Sequence, residues 1–265
     1  MPLLNFRDPA CAADPEGSLV RRGILFRSAQ PHPGAGTPAV RELESHGIRV
    51  VIDLRSPEER GNEWAAAEAA GVTVVTAPVA PDAGDAGDAI IGPGIAALHT
   101  SADLGRFYAD LAASAPGAVA TAVRAVAGPG PALVHCAAGK DRTGLLTALF
   151  LELAGVPDEG IADDYVRTAE ALPEILAALA DRHQTALNTL PEDLGGKPAD
   201  PRAALRDAAP APLLQAPREA IEVFLRTVRS RYGGAEGFLL GCGVEAAVIE
   251  AFRAKAALSS PVAAG

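Results

Sequence analysis

One stretch near the middle of the chain limits the folds open to it, because two buried elements follow each other there across a tight loop. Residues 131–134 are apolar and follow Gly128-Pro129-Gly130, a pattern that predicts a buried strand. Residues 145–151 are apolar on every side, which predicts a helix buried within a domain. A buried strand that leads into a buried helix is typical of a parallel sheet covered on both faces.

The segment upstream of this unit repeats the alternation of strand and helix. We predict strands over residues 24–27, 48–54 and 72–75, and helices over residues 37–47 and 56–71. The sequence therefore predicts an α/β fold with a central, mostly parallel sheet of about four to five strands and helices on both faces.

The remainder of the chain is predicted to be mainly helical and to belong to one domain over residues 1–265. Residues 158–216 form a candidate helical lid or insertion, in which the proline-rich part 188–216 is a connector. The tail 258–265 is predicted to be disordered. Further helices are predicted over 103–127 (two helices), 158–168, 173–187, 217–232, 236–240 and 244–255.

The loop between the central strand and its helix carries a cysteine, Cys136, and Arg142 follows it after five intervening residues. A helix N-terminus attracts anions and favours the thiolate form of a nearby cysteine. The fork of Arg142 can bind two oxygens of a phosphate, and the loop's backbone N–H groups point into the same cup. These features predict phosphate transfer on cysteine. The predicted phosphate-binding residues are Ala137, Ala138, Gly139, Lys140, Asp141 and Arg142.

Neighbouring side chains have predicted supporting roles. Thr143 can donate a hydrogen bond to the thiolate and ease its departure, and His135 is expected to support the loop rather than carry a proton. Lys140 is expected to bring positive charge toward the substrate phosphate, and Asp141 cancels part of that charge.

One other type of loop is excluded by the sequence, and two other interpretations remain open at this point. A nucleotide-binding loop would need glycine at Val134 and a hydroxyl residue at Asp141, so that pattern is not met. Sulfur transferases also place a cysteine in an arginine-bearing loop, usually of another length and without the Arg-Thr-Gly exit. Cys136 could also be an ordinary buried thiol.

The order His135-Cys136, five residues, Arg142-Thr143-Gly144 resembles the signature loop of the cysteine-dependent protein-tyrosine-phosphatase superfamily. Its Gly-Lys-Asp-Arg-Thr-Gly form resembles the bacterial branch that contains mycobacterial tyrosine phosphatase B. Other stretches are similar to that branch, in the same order: Asn5-Phe6-Arg7-Asp8, residues 23–28, residues 53–56, Asp164-Tyr165, Gly233-Gly234 and Phe238-Leu239.

The resemblance implies a phosphatase that works through a phosphocysteine intermediate and needs no metal or other cofactor. Such a reaction needs a carboxylic acid to protonate the leaving oxygen, and the long loop 78–102 holds Asp82, Asp85 and Asp88. Asp82 lies at about the place where the family carries this acid, so we favour it. Asp141 is the alternative.

The substrate is expected to be a phosphotyrosine protein or a small nucleoside, sugar or inositol phosphate. A silent module that only binds phosphorylated ligands is a further alternative. The formal net charge of -10 argues against nucleic acid and anionic membranes as partners. Three cysteines without metal-binding spacing, and no apolar run of about 18 residues, favour a reduced, cytoplasmic location, although family members can be exported without an obvious signal. No pattern fixes an oligomeric state.

Overall fold

The computed structural model describes residues 3–31, 36–80, 98–188 and 211–258. Within these ranges four strands form one parallel sheet in the order β1-β4-β2-β3. The strands are β1 (Leu25–Ser28), β2 (Val50–Asp53), β3 (Thr73–Thr76) and β4 (Ala132–His135). The predicted α/β class with a parallel central sheet is confirmed.

Helices pack on both faces of this sheet. Two are short 3-10 helices, Pro57–Glu59 and Ala211–Leu214. The α-helices of the described residues are α1 (Ala10–Ala13), α2 (Gly36–Ser45), α3 (Ala65–Ala69), α4 (Ser101–Ser114), α5 (Pro116–Ala127), α6 (Asp141–Leu153), α7 (Asp158–Val166), α8 (Thr168–Asn188), α9 (Arg218–Tyr232), α10 (Ala235–Gly241) and α11 (Ala246–Ala256). None of them is both long enough and apolar enough to cross a membrane.

The two faces of the sheet bury different cores because successive strand residues point to opposite sides. Ile52 and Val134 belong to the larger core, which contains much of α4, α5, α6 and α9. Val51 and Leu133 belong to a smaller core beneath α2 and α3. All four of these side chains are fully buried, which explains why the strands are apolar without alternation.

The register of the strands brings their carboxyl ends to one edge of the sheet. His135, the last residue of β4, lies opposite Ser28 in β1 and Asp53 in β2. In parallel sheets this edge is where binding sites form, because the loops that leave it meet there. The loop after His135 therefore leaves the sheet beside the loops that follow β1 and β2, and a crevice lies between it, the β1 loop and α8.

Two predicted helix boundaries are wrong. The helix expected over residues 56–71 is interrupted, because Arg60 is extended (φ -91°, ψ 142°) after the first 3-10 turn. The helix expected to start at Pro173 starts at Thr168, with the proline inside it. Hydrogen bonds from Asn5 and Arg7 to the buried Thr168 hydroxyl hold this earlier start. All of the tail except Leu258 and most of the connector lie outside the described residues.

Candidate active site

Cys136 directly follows β4 and lies at the base of a loop that ends where α6 begins at Asp141. Its side chain is buried, with 2% of the residue exposed. The loop makes its sharpest turn at Gly139, whose φ is +65°. A β-carbon at Gly139 would lie 2.2 Å from the carbonyl oxygen of Ser28, so only glycine lets the loop pack this closely against the end of β1.

The Arg142 guanidinium is fixed by the carboxylate of Glu59. Its two terminal nitrogens donate to the two carboxylate oxygens, each over 2.6 Å. Burial lowers the pKa of Arg142, but the hydrogen bonds to Glu59 and the charge of Cys136 outweigh this and raise it overall. Arg142 is therefore a permanent cation. Of its five N–H donors two go to Glu59, and Nη1 also donates to the carbonyl oxygen of Leu54 over 3.4 Å.

Glu59 is a site residue that the sequence prediction missed. The same carboxylate closes the capping box at Ser56, whose backbone N–H donates to it over 2.9 Å. Burial raises the pKa of Glu59, but the hydrogen bond and charge of Arg142 bring it below its ordinary value. The capping pattern was visible in the sequence, whereas the pairing with Arg142, 83 residues downstream, was not.

His135 supports the loop as a neutral imidazole. The indole N–H of Trp64 donates to Nε2 over 2.9 Å, so the proton resides on Nδ1, 3.1 Å from the carbonyl oxygen of Cys136. Burial lowers the pKa of His135 to about 4. The geometry fits the predicted supporting role. Trp64, which fixes this tautomer, was not among the predicted site residues.

A cluster of buried and half-buried polar side chains holds the outer side of the loop. Arg27 donates to the carbonyl oxygen of Gly139 over 2.7 Å, and Asn5 donates to the same oxygen over 2.9 Å. Asp164 pairs with Arg27 and, over 2.6 Å, with Arg7. Three stretches that carried the family resemblance thus meet behind the carbonyl group of Gly139. They lie around residues 5–8, 23–28 and 164–165.

Lys140 differs from the expectation that its charge faces the substrate. Its side chain is 1% exposed, and its ammonium donates to the carbonyl oxygens of Leu213 and Gln215, the latter over 2.8 Å. It also lies 3.3 Å from Oδ1 of Asp141. In this structure the side chain anchors the second 3-10 helix and the residue that follows it, because buried ammonium donors need acceptors.

Asp141 accepts a hydrogen bond from Tyr108 of α4, and the Tyr108 hydroxyl lies 2.8 Å from that of Tyr165 of α7. The Asp141 side chain remains about a quarter exposed, at 26%. Tyr108 was not predicted as part of the site, because nothing in its local sequence points to Asp141.

Thr143 and Asp82 were also predicted as site residues. The hydrogen bond expected from Thr143 to the thiolate is not formed in this structure, where the buried Thr143 hydroxyl has no partner. Asp82, the favoured general acid, lies outside the described residues. No group of three or more metal-binding side chains comes together in the described ranges.

The crevice is bordered by α8 on the side of the β1 loop. A small cavity there is lined by Ala137 of the signature loop, Gln30, and Ile175, Leu179 and Arg182 of α8. Arg182 pairs over 2.6 Å with Glu63, which also accepts from Arg55. Burial raises the pKa of Glu63, but its hydrogen bond with Arg55 outweighs this and brings it to about 2. These ion pairs link α8 to the end of β2.

A thiol and a guanidinium brought together by one loop at the carboxyl edge of a parallel sheet define a phosphatase of the tyrosine-phosphatase type. The chain belongs to the tyrosine phosphatase family, whose pattern it matches over residues 2–257. It is accordingly a phosphatase that acts on phosphorylated substrates.

Three similar proteins come from bacteria. The chain is 29% identical over 239 residues to a Cupriavidus necator protein named as a tyrosine-protein phosphatase, covering 89% of this chain and 80% of that protein. It is 31% identical to the triple specificity protein phosphatase PtpB of Mycobacterium tuberculosis, covering 46% of this chain and 42% of PtpB. A tyrosine-protein phosphatase of Nostoc commune is 33% identical, and the chain covers 39% of it. The last two therefore match over less than half of their length.

Among solved structures, that of P. aeruginosa TpbA covers 54% of this chain and 68% of its own at 19% identity. Its TM-score of 0.30 is too low to support any argument.

Proposed function

We propose that the chain hydrolyses phosphate monoesters through a phosphocysteine intermediate on Cys136. The single observation that carries this proposal is the Arg142 guanidinium, which the two-point pair with Glu59 fixes in the first turn of α6, directly after the loop that holds Cys136. Its remaining N–H donors, together with the backbone N–H groups of residues 137–142, suit the oxygens of a phosphate. The reaction needs no metal, since these groups already neutralise the phosphate charge.

In the first step the Cys136 thiolate attacks phosphorus, a sulfur–phosphorus bond forms, and the bond from phosphorus to the ester oxygen breaks. The departing oxygen takes a proton from a carboxylic acid. In the second step water attacks phosphorus, the thiolate leaves, and the same carboxylate accepts the water's proton. Inorganic phosphate is released.

Asp82 is the acid that we favour, and the surroundings of Asp141 argue against the alternative. The Asp141 carboxylate accepts a hydrogen bond from Tyr108 and lies 3.3 Å from the Lys140 ammonium, and both contacts hold it toward α4. An acid must instead reach the leaving oxygen of the substrate. Asp82 is supported only by its place after β3 and by the family resemblance.

Thr143 and Lys140 have narrower roles in this mechanism. A buried hydroxyl without a partner costs about 1–3 kcal/mol, so the Thr143 hydroxyl would gain from hydrogen bonding to the thiolate as it departs. Lys140 would bind phosphate through its backbone N–H rather than its ammonium. Ala137, Ala138, Gly139 and Asp141 would contribute backbone N–H groups in the same way.

Replacement of the nucleophile tests the covalent mechanism. Cys136→Ser should abolish turnover of p-nitrophenyl phosphate, and acid quenching of the native enzyme during turnover should trap phosphate on the peptide that contains Cys136. Cys242→Ser is the matched control, because Cys242 is a half-buried free thiol at the C-terminal end of α10. Retained turnover in Cys136→Ser would reject the mechanism.

Leaving-group dependence tests the choice of acid. Asp82→Asn should slow esters with poor leaving groups far more than esters with good ones, because only the former need a proton. Asp85→Asn is the control from the same loop. If Asp141→Asn shows this dependence and Asp82→Asn does not, the acid is Asp141.

Phosphotyrosine in proteins is the substrate class that we propose, following the names of the relatives. A small organophosphate is the second candidate, favoured by the net charge of -10, which repels acidic phosphopeptides. Rates for phosphotyrosine peptides, nucleotides, sugar phosphates and inositol phosphates should be compared on one enzyme preparation. A higher kcat/KM for a small molecule than for any peptide would select the second candidate.

We further propose that residues 1–265 form one phosphatase domain, with residues 158–216 as a lid-like helical part. Support comes from α8, whose Ile175 and Arg182 border the same cavity as Ala137. A reducing, cytoplasmic location is proposed because a thiolate nucleophile is lost on oxidation.

A further inference from the structure

Two buried tyrosines and Asp141 form a continuous chain of hydrogen bonds beside the signature loop. The hydroxyl of Tyr165 lies 2.8 Å from that of Tyr108, which in turn donates to Oδ1 of Asp141. The three residues come from α7, α4 and the first turn of α6. The two rings pack edge to face, with centroids 6.3 Å apart and planes at 71°.

Proton counting gives this chain one direction. The single hydroxyl proton of Tyr108 is donated to Asp141, so Tyr108 must accept from Tyr165. Burial, with the charge of Asp141, raises the pKa of both phenols above the ordinary value. Both hydroxyls therefore keep their protons and remain donors.

Close packing at Gly144 is a second observation that the position of the Tyr165 ring is specific. A β-carbon at Gly144 would lie 3.0 Å from Cδ2 and 3.1 Å from Cε2 of the Tyr165 ring. The glycine that ends the Arg-Thr-Gly sequence thus lets this ring lie directly on α6. Both rings are fully buried in the main core, where phenylalanine would pack equally well without the cost of burying a hydroxyl.

The position of Asp141 matters because its charge acts on the Arg142 guanidinium. A carboxylate that turned toward the phosphate cup would repel the incoming phosphate and compete for Arg142. The hydrogen bond from Tyr108 and the contact with the Lys140 ammonium both fall on Oδ1 and hold the carboxylate toward α4.

We propose that Tyr108 and Tyr165 are positioning residues of the phosphatase site, which act through Asp141 to keep its charge away from the bound phosphate. This inference rests on the proposed function, because it assumes that phosphate binds in the cup of residues 137–142. It assigns the buried hydroxyls a role in anion affinity rather than in the chemical step.

The test is a double-mutant cycle with p-nitrophenyl phosphate as substrate and vanadate as a competing anion. Tyr108→Phe should raise KM and the vanadate inhibition constant about tenfold while kcat changes less than about threefold, since ground and transition states are both anionic. In an Asp141→Asn background the same replacement should leave both constants unchanged, because no charge is left to misplace.

If Tyr108 only supports the fold, Tyr108→Phe should change KM and the vanadate inhibition constant by the same factor with Asp141 and with Asn at position 141. That result would overturn the proposal. Unchanged KM in Tyr108→Phe would also overturn it. If Tyr108→Phe does not fold, Tyr165→Phe replaces it in the same cycle, with an expected rise in KM of about two- to threefold in the Asp141 background only. Tyr232→Phe, on the exposed end of α9, is the matched control.

Failure of the proposed function would be recognised separately. If Cys136→Ser retained turnover, the covalent mechanism would fall whatever the tyrosine variants show. If Cys136→Ser is inactive and Tyr108→Phe has native kinetics, the mechanism stands and the tyrosine proposal falls.

Discussion

The guanidinium of Arg142 and the carboxylate of Glu59 face each other through two hydrogen bonds, each 2.6 Å long. Because the same carboxylate caps the turn at Ser56, the position of the phosphate-binding cation depends on a turn that follows a neighbouring strand. The signature loop is therefore not a self-contained unit.

Loss of the Glu59 charge should free Arg142. Glu59→Gln should lower kcat/KM for p-nitrophenyl phosphate by about 10- to 100-fold, the value of one or two charge-assisted hydrogen bonds. Steady-state kinetics measures this change. Glu58→Gln, at the exposed adjacent position, is the control and should be neutral. Equal activity of the two variants would contradict the assigned role of Glu59.

A methyl group at Gly139 should distort the signature loop. Gly139→Ala places a β-carbon 2.2 Å from the Ser28 carbonyl oxygen at a φ of +65°, so we expect a free energy of unfolding lower by about 3 kcal/mol or more, and loss of turnover. Gly130→Ala has a similar φ of +74° but meets nothing within 4 Å, and should cost about 1 kcal/mol. Denaturant unfolding of both variants separates steric contact from backbone strain.

Stability should fall on acidification because of His135. Its pKa is about 4 when folded and about 6.5 when unfolded, so the unfolded state binds the proton first as pH falls. This residue should therefore reduce the free energy of unfolding between pH 6.5 and 4, by about 3 kcal/mol in total.

Unfolding of His135→Gln across this pH range checks that prediction. The variant should lose less stability between pH 6.5 and 4 than the native protein does, because it lacks the imidazole that the unfolded state protonates first. Parallel pH curves for the native protein and His135→Gln would contradict the assignment.

Removal of a buried cation behind the loop should cost far more than removal of an exposed one. Arg27→Met leaves Asp164 buried with only Arg7 to pair with, so the free energy of unfolding should fall by about 3–5 kcal/mol. Arg231→Met breaks a pair with Asp110 in which the two side chains are 44% and 62% exposed, and should cost about 1 kcal/mol or less. Similar losses would show that Arg27 does not support the fold as described.

The strands and the signature loop could be predicted because their determinants are local. The apolar runs at β2 and β4 extend over consecutive residues, and Cys136 and Arg142 share one loop. Partners distant in sequence could not be found in this way. Trp64 and His135 are 71 residues apart, and Tyr108 and Asp141 are 33 apart, so only the packed fold brings their atoms together.

Helix boundaries show the same limit on a smaller scale. Pro173 favours a helix start by its own geometry, and the earlier start at Thr168 depends on hydrogen bonds from Asn5 and Arg7. The contacts of Thr168 with a distant part of the chain thus outweigh the local preference of Pro173.

The Lys140 ammonium donates hydrogen bonds to the backbone carbonyl oxygens of Leu213 and Gln215. Every amino acid offers that acceptor, so substitutions at these two positions can preserve the attachment, while a changed spacing between them would misalign it. We therefore expect related sequences to keep the length of this short segment while its side chains vary.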